Sequence, residues 1–163
     1  MAIYRWVAQE DLINKEKLFL VGRSLGGAVA IDLVARLPKP LFAGVVIEST
    51  FTSILDMADE LFDFLRPVKT QLKRCVLRSY WNSISKVSAI KLPIMFISGT
   101  EDNFVPTWMT VKLHKECQSD VKLIHLIEGG DHNNTVQVAG ETYFEFYRDF
   151  FRVALRKSGT KIL

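Results

Sequence analysis

The stretch "LFLVGRSLGG", residues 18–27, decides how the rest of the chain is read. Four apolar residues run into Gly22-Arg23-Ser24-Leu25-Gly26, a G-x-S-x-G spacing with Gly27 directly behind it. Glycines two positions either side of a serine suit a sharp strand-to-helix turn that pushes the hydroxyl outward. The five-residue pattern means little without a strand before it and a helix after it. Both are expected here. "KLFLV" (17–21) is a short, continuously apolar run, the kind buried on both faces of a parallel sheet. "SLGGAVAIDLVARL" (24–37) is helical and stops before Pro38 and Pro40. Gly22 and Gly26 are expected to let this strand and helix approach closely, with Gly27 and Ala28 extending the contact. A small-residue contact in a nucleotide-binding protein is the alternative. It calls for further glycines on the turn, as in G-x-G-x-x-G, and they are absent.

Outward from this turn the elements alternate. Residues 2–13 are predicted to be helical, with Ile3, Trp6, Val7 and Ile13 on one side. "FAGVVIE" (42–48), "LPIMFIS" (92–98) and "VKLIHLI" (121–127) are three more buried strands. Between them fall an amphipathic helix over 53–65, with Ser53 as N-cap and Asp56 in its first turn, and a second helical stretch through "TQLKRCVLRSY". A further helix starts with Pro106 at its first position, and a long amphipathic one covers 135–156. This alternation predicts an α/β fold with a mostly parallel sheet of about four strands flanked by helices. The helical pair within 53–82 is longer than a crossover needs and is expected to be a cap-like insertion in a single domain spanning 1–163.

Bulk properties exclude several classes. The chain has 163 residues, 48% of them hydrophobic, and a formal net charge of only +3. Its basic residues are scattered along helices, without the aromatic-interleaved stripe of a nucleic-acid binder, so no nucleic-acid partner is expected. Cys75 and Cys117 form no C-x-x-C pair and have no histidine at ligand spacing, so no metal site is expected. They are taken as two reduced thiols of an intracellular chain. "MAIYRWVAQE" lacks the apolar core of a signal peptide, and no apolar run approaches the ~18 residues of a membrane span. The chain as written is expected to be soluble.

A serine hydroxyl becomes a useful nucleophile only beside a base that is itself oriented by an acid. Loops at the C-terminal ends of later strands can supply both, in the chain order Ser, acid, His. "ISGTEDNFVP" offers Asp102 just past the third strand, and "EGGDHNNT" offers His132 past the fourth. Both would join Ser24 at the edge where open α/β sheets place their sites. His125, inside an apolar strand, is expected to serve the core or a sheet face, and His114, mid-helix among charges, to be solvated. Glu48, ending the second strand, is the rival acid. Asp102 is preferred because its loop suits the chain order. Glu101 and Asp131 should point elsewhere.

Together, "GRSLGGAVAI", "ESTFTSILDMA", "LPIMFISGTEDNFVP" and "GGDHNNT" resemble the bud-emergence group of α/β hydrolases over essentially the whole chain. The resemblance implies that Ser24, Asp102 and His132 form a catalytic triad and that the Leu25 backbone N–H is one oxyanion donor. It implies a hydrolase needing no cofactor and no metal. Its substrates would be esters, thioesters or acylated proteins, since neighbouring families remove acyl groups such as palmitate from cysteines. It also implies that family members carry several strands before the elbow, a loop among them giving the second oxyanion N–H, and an N-terminal membrane anchor with an endomembrane location. The present sequence is therefore expected to be the C-terminal half of an α/β-hydrolase fold, N-terminally truncated, with an unpaired edge at the elbow strand.

On this reading Met57, Leu61, Phe62, Phe64 and Leu65 line an acyl-chain site or simply pack the core, and Trp81 and Trp108 wall the pocket or do the same. Two rivals stand beside the esterase or thioesterase: an inactive hydrolase-fold chain acting as a binding partner, and a peptidase of the prolyl-oligopeptidase type.

Overall fold

The computed structural model describes residues 2–38, 41–61 and 81–157. Four strands, β1 (Phe19–Arg23), β2 (Gly44–Glu48), β3 (Ile94–Gly99) and β4 (Lys122–Ile127), pair in parallel in the order β1-β2-β3-β4. Among the described residues six α-helices accompany them: α1 (Ala2–Gln9), α2 (Leu25–Arg36), α3 (Ile54–Leu61), α4 (Thr107–Glu116), α5 (Thr135–Ala139) and α6 (Glu141–Lys157). This is the expected parallel sheet with flanking helices. The cap expected over 53–82 lies, beyond Leu61 and before Trp81, outside the described residues, as do Phe62, Phe64, Leu65 and Cys75.

Strict in-register pairing aligns the strand ends. Arg23 lies opposite Glu48, Glu48 opposite Ile97 and Ile97 opposite His125. Every residue of β2 and β3 is buried, as continuous apolar runs in a two-faced sheet require. Alternation then divides the core. Val45, Ile47 and Phe96 face α2 and α4 through Ile31, Val34 and Leu113, while Val46, Met95 and Ile97 face α6 through Tyr143 and Phe150. Helix α6 crosses from β4 back to β1, where Phe19 meets Phe150 and Phe151. Asp32 of α2 takes ion pairs from Arg36 and Lys86, which ties the segment ahead of β3 to α2.

Four local expectations are revised. β1 begins two residues later than predicted, because the Asn14 side chain accepts the Glu16 N–H and winds Lys15–Lys17 into a 3₁₀ turn. The C-terminal helix is two helices, broken at Gly140, whose positive φ of 55° cannot continue an α-helix. α1 ends at Gln9, and its Ile3 and Trp6 are largely exposed while Tyr4 packs on Phe42. His114 is half-buried rather than solvated, edge-on to Phe96, and burial followed by the Lys122 charge holds its pKa below the usual imidazole value. Lys122 is there because its ammonium donates to the His114 and Cys117 carbonyls at the end of α4.

Candidate active site

Ser24 stands between the last residue of β1 and the first of α2, at φ 52° and ψ −123°. A side chain at that conformation is strained by ~1–3 kcal/mol, and such strain concentrates where function holds it in place. The surroundings over-determine it. The Ser24 N–H donates to the Glu48 carbonyl at 2.9 Å, extending the β1–β2 ladder by one bond. The Thr50 hydroxyl lies 3.0 Å from the Ser24 carbonyl. A Cβ on Gly22 would sit 2.5 Å from the Gly26 carbonyl oxygen, so the strand can approach the helix only as glycine. Gly26 itself faces open space, and the second close contact is at Gly27, against Thr50. The Ser24 hydroxyl makes no capping bond to α2. Leu25 opens that helix, so its N–H is one of the first-turn donors that have no intrahelical acceptor.

The two loops expected to supply acid and base come together. Asp102 is buried and each of its carboxylate oxygens is used. Oδ1 accepts the Phe104 and Val105 N–H groups at 3.0 and 2.8 Å, and Oδ2 lies 2.8 Å from His132 Nδ1. A carboxylate can only accept, so Nδ1 carries the proton and Nε2 keeps its lone pair. The Asp102 side chain is fully buried and that of His132 is 15% exposed, so this bond is shielded from water while the ring still reaches it. The Phe104 ring meets the imidazole edge-on at 5.0 Å and is half exposed. Arg23, the residue before Ser24, donates from Nη2 to the His132 carbonyl and to Asn133 Oδ1, linking the elbow to the loop of the base.

Within that loop Asp131 accepts the Asn133 and Asn134 N–H groups, so its carboxyl builds the turn. Glu101 is exposed, with its N–H on the Gly130 carbonyl. The Glu48 carboxyl is engaged by neither Ser24 nor His132. It is buried and accepts the hydroxyls of Thr135 and Tyr143. His125 stacks on Phe146 with ring centroids 3.8 Å apart, on a sheet face as expected, and burial lowers its pKa. Met57 is buried with Phe51, Val105 and Met109, and Trp81 packs against that cluster. Trp108 is 41% exposed, with the Lys112 ammonium over its ring. Among the described residues no group of His, Cys, Asp and Glu is gathered that could hold a metal ion.

Sequence patterns had no means of finding Arg23 or Phe104. Arg23 fills an unspecified position of G-x-S-x-G, Phe104 lies outside that pattern, and the partners of both lie across the site.

The acid and base loops are stitched backbone to backbone. Thr100 N–H donates to the Ile127 carbonyl at 2.9 Å and Glu101 N–H to the Gly130 carbonyl at 2.8 Å. A Cβ on Gly99 would fall 2.1 Å from the Gly130 carbonyl oxygen, and neither backbone can yield without breaking those bonds. Gly99→Ala is expected to lower stability by roughly 3 kcal/mol in urea denaturation, at the upper end of overpacking costs. Gly26→Ala, with room for its methyl, should unfold at or slightly above the wild-type midpoint. A Gly99→Ala midpoint equal to wild type would mean that the loops are not held in this contact.

Comparisons with known proteins bear on the family and the fold. The profile of the prolyl oligopeptidase family matches residues 1–158. Protein bem46 of Schizosaccharomyces pombe is 34% identical over 89% of the chain and 46% of its own length, in keeping with the resemblance to the bud-emergence group. The Saccharomyces cerevisiae protein named uncharacterized membrane protein YNL320W is 36% identical over 88% of the chain and 49% of its own length. The chain therefore spans about half the length of the curated relatives it matches. Among solved structures, acylaminoacyl peptidase of Pyrococcus horikoshii superposes with a TM-score of 0.72 at 16% identity, over 94% of this chain and 26% of that one, a likeness of fold. Among the described residues no helix is long and apolar enough to cross a membrane.

Proposed function

Because the chain belongs to the prolyl oligopeptidase family, we propose that it is the catalytic part of a serine hydrolase acting on ester or thioester bonds. Ser24 Oγ attacks the acyl carbonyl while His132 Nε2 takes the hydroxyl proton, and the imidazolium then returns that proton to the departing alcohol or thiol. Asp102 holds the ring in the tautomer that makes this possible. The Leu25 N–H, at the start of α2, stabilises the oxyanion, with a second donor from elsewhere in the protein. Water then cleaves the acyl-enzyme with His132 again as base. The observation carrying the reading is the buried Asp102–His132 bond, at 2.8 Å, in a loop that Arg23 ties to the elbow.

Phe104 and Trp108, both exposed beside this edge, suit an apolar acyl or leaving group. Acylated proteins are the proposed substrate class, in line with a membrane-associated location of the whole protein. The family and the peptidase neighbour support a second reading, cleavage of a peptide or acyl-amino-acid bond by the same residues.

A fluorophosphonate probe followed by peptide mass spectrometry tests the mechanism. The expected adduct is on Ser24 and is absent after Ser24→Ala. A folded protein that takes no adduct would instead be a hydrolase-fold binding partner. Competition of labelling by medium-chain thioesters, but not by peptide chloromethyl ketones, separates the two substrate readings.

A further inference from the structure

Two carboxyl side chains are buried among the described residues, Asp102 and Glu48, and the mechanism uses only the first. Burying a carboxyl is costly unless its oxygens find donors, and Glu48 finds two. Its Oε1 accepts the Thr135 hydroxyl at 2.6 Å and its Oε2 accepts the Tyr143 hydroxyl at 2.8 Å. Thr135 is itself buried, opens α5 and follows His132 by three residues. The backbone of Glu48 is equally engaged, its carbonyl accepting the Ser24 N–H at 2.9 Å and the Thr50 hydroxyl at 3.1 Å. One residue thus holds the nucleophile's backbone through its carbonyl and the end of the base's loop through its side chain.

The backbone bonds from Thr100 and Glu101 hold the loop only ahead of His132, at Ile127 and Gly130. The ties around and beyond His132, its own bond to Asp102 aside, are weaker anchors. Asp131, Asn133 and Asn134 bond chiefly to one another and are exposed or partly exposed, and the Arg23 contacts lie at the surface, where water competes. The Glu48–Thr135 bond lies out of water, where no solvent competes for either group. Tyr143 stays a donor to the same carboxyl, because burial, its bond to Tyr147 and Glu48 itself push its hydroxyl pKa far up.

We infer that Glu48, acting through Thr135, is a positioning residue that sets the height of His132 over Ser24. Asp102 orients the imidazole, and Glu48 fixes the loop that carries it. The inference rests on the reading of Ser24 and His132 as nucleophile and base.

Thr135→Val removes the hydroxyl at nearly constant volume, and Thr135→Ser keeps it. On folded protein, Thr135→Val is expected to slow fluorophosphonate labelling of Ser24 by roughly 10- to 100-fold, the scale of a displacement near 1 Å. It should also shift the downfield proton resonance of His132 Nδ1–H. Thr135→Ser should restore both. A merely structural Glu48 predicts that Tyr143→Phe, which removes the other donor to the same carboxyl, slows labelling as much as Thr135→Val. Equal slowing, or a folded Thr135→Val that labels at the wild-type rate, overturns the inference. If the wild-type protein takes no label, the nucleophile reading fails. The resonance then decides alone: a shift in Thr135→Val that Thr135→Ser reverses supports the positioning role, and an unmoved resonance sinks it.

Discussion

Ser24→Gly is expected to raise the melting temperature while abolishing turnover. The two effects share one cause. Ser24 sits at φ 52°, ψ −123°, a conformation that glycine adopts readily and a side chain does not. The strain relieved is ~1–3 kcal/mol, partly offset by the extra freedom glycine has in the unfolded chain, ~0.5–1 kcal/mol. A net gain of roughly 1 kcal/mol corresponds to a rise of roughly 2–4 °C for a domain of this size. Losing the nucleophile should lower kcat by a factor on the order of 10⁶. Calorimetry and ester hydrolysis on the same preparation check both halves. Persistent hydrolysis would place the nucleophile elsewhere, and an unchanged melting temperature would mean that the elbow stores no strain.

The second large effect is expected from Asp102→Asn, and here the fold should barely respond. Oδ1 of the side chain can go on accepting the Phe104 and Val105 N–H groups, so the turn entering α4 survives. The change falls on the other atom, 2.8 Å from His132 Nδ1. An amide NH₂ there donates, so Nδ1 must accept and the ring proton moves to Nε2. An Nε2–H cannot take the proton of Ser24. A loss on the order of 10⁴ in kcat is expected, mostly recoverable at high pH where hydroxide can act as the base. The urea midpoint should stay near that of the wild type. A variant retaining a tenth or more of wild-type kcat would remove Asp102 from the mechanism and reopen the search for the acid.

Both predictions concern residues legible in the sequence. The elbow could be read because its signals are local: an apolar strand, glycines at fixed offsets and a helix behind them. Asp102 and His132 could be read because strand-end loops of a parallel sheet share one edge whatever the details of packing. Other readings failed where the answer lay in another part of the chain. Gly26 looks like a position where only a glycine fits, yet a Cβ there would face open space; the crowded positions are Gly22, against the Gly26 backbone, and Gly27, against Thr50. His114 looks solvated among charges until Phe96 of β3 comes to lie against it. Glu48 has the chemistry of a catalytic acid. Its partners are 87 and 95 residues away, and no spacing rule reaches that far.

The sequence by itself therefore determined the order of elements, the parallel sheet, the strained turn at Ser24 and the edge at which acid and base collect. These follow from hydrophobic period and turn chemistry, which act over a few residues. Only the tertiary structure decided which carboxyl meets the imidazole, which pins the loop behind it, and that Arg23 links the elbow to the base. Those choices depend on strand register and helix rotation, where a shift of one residue exchanges the partner of every polar group at the edge.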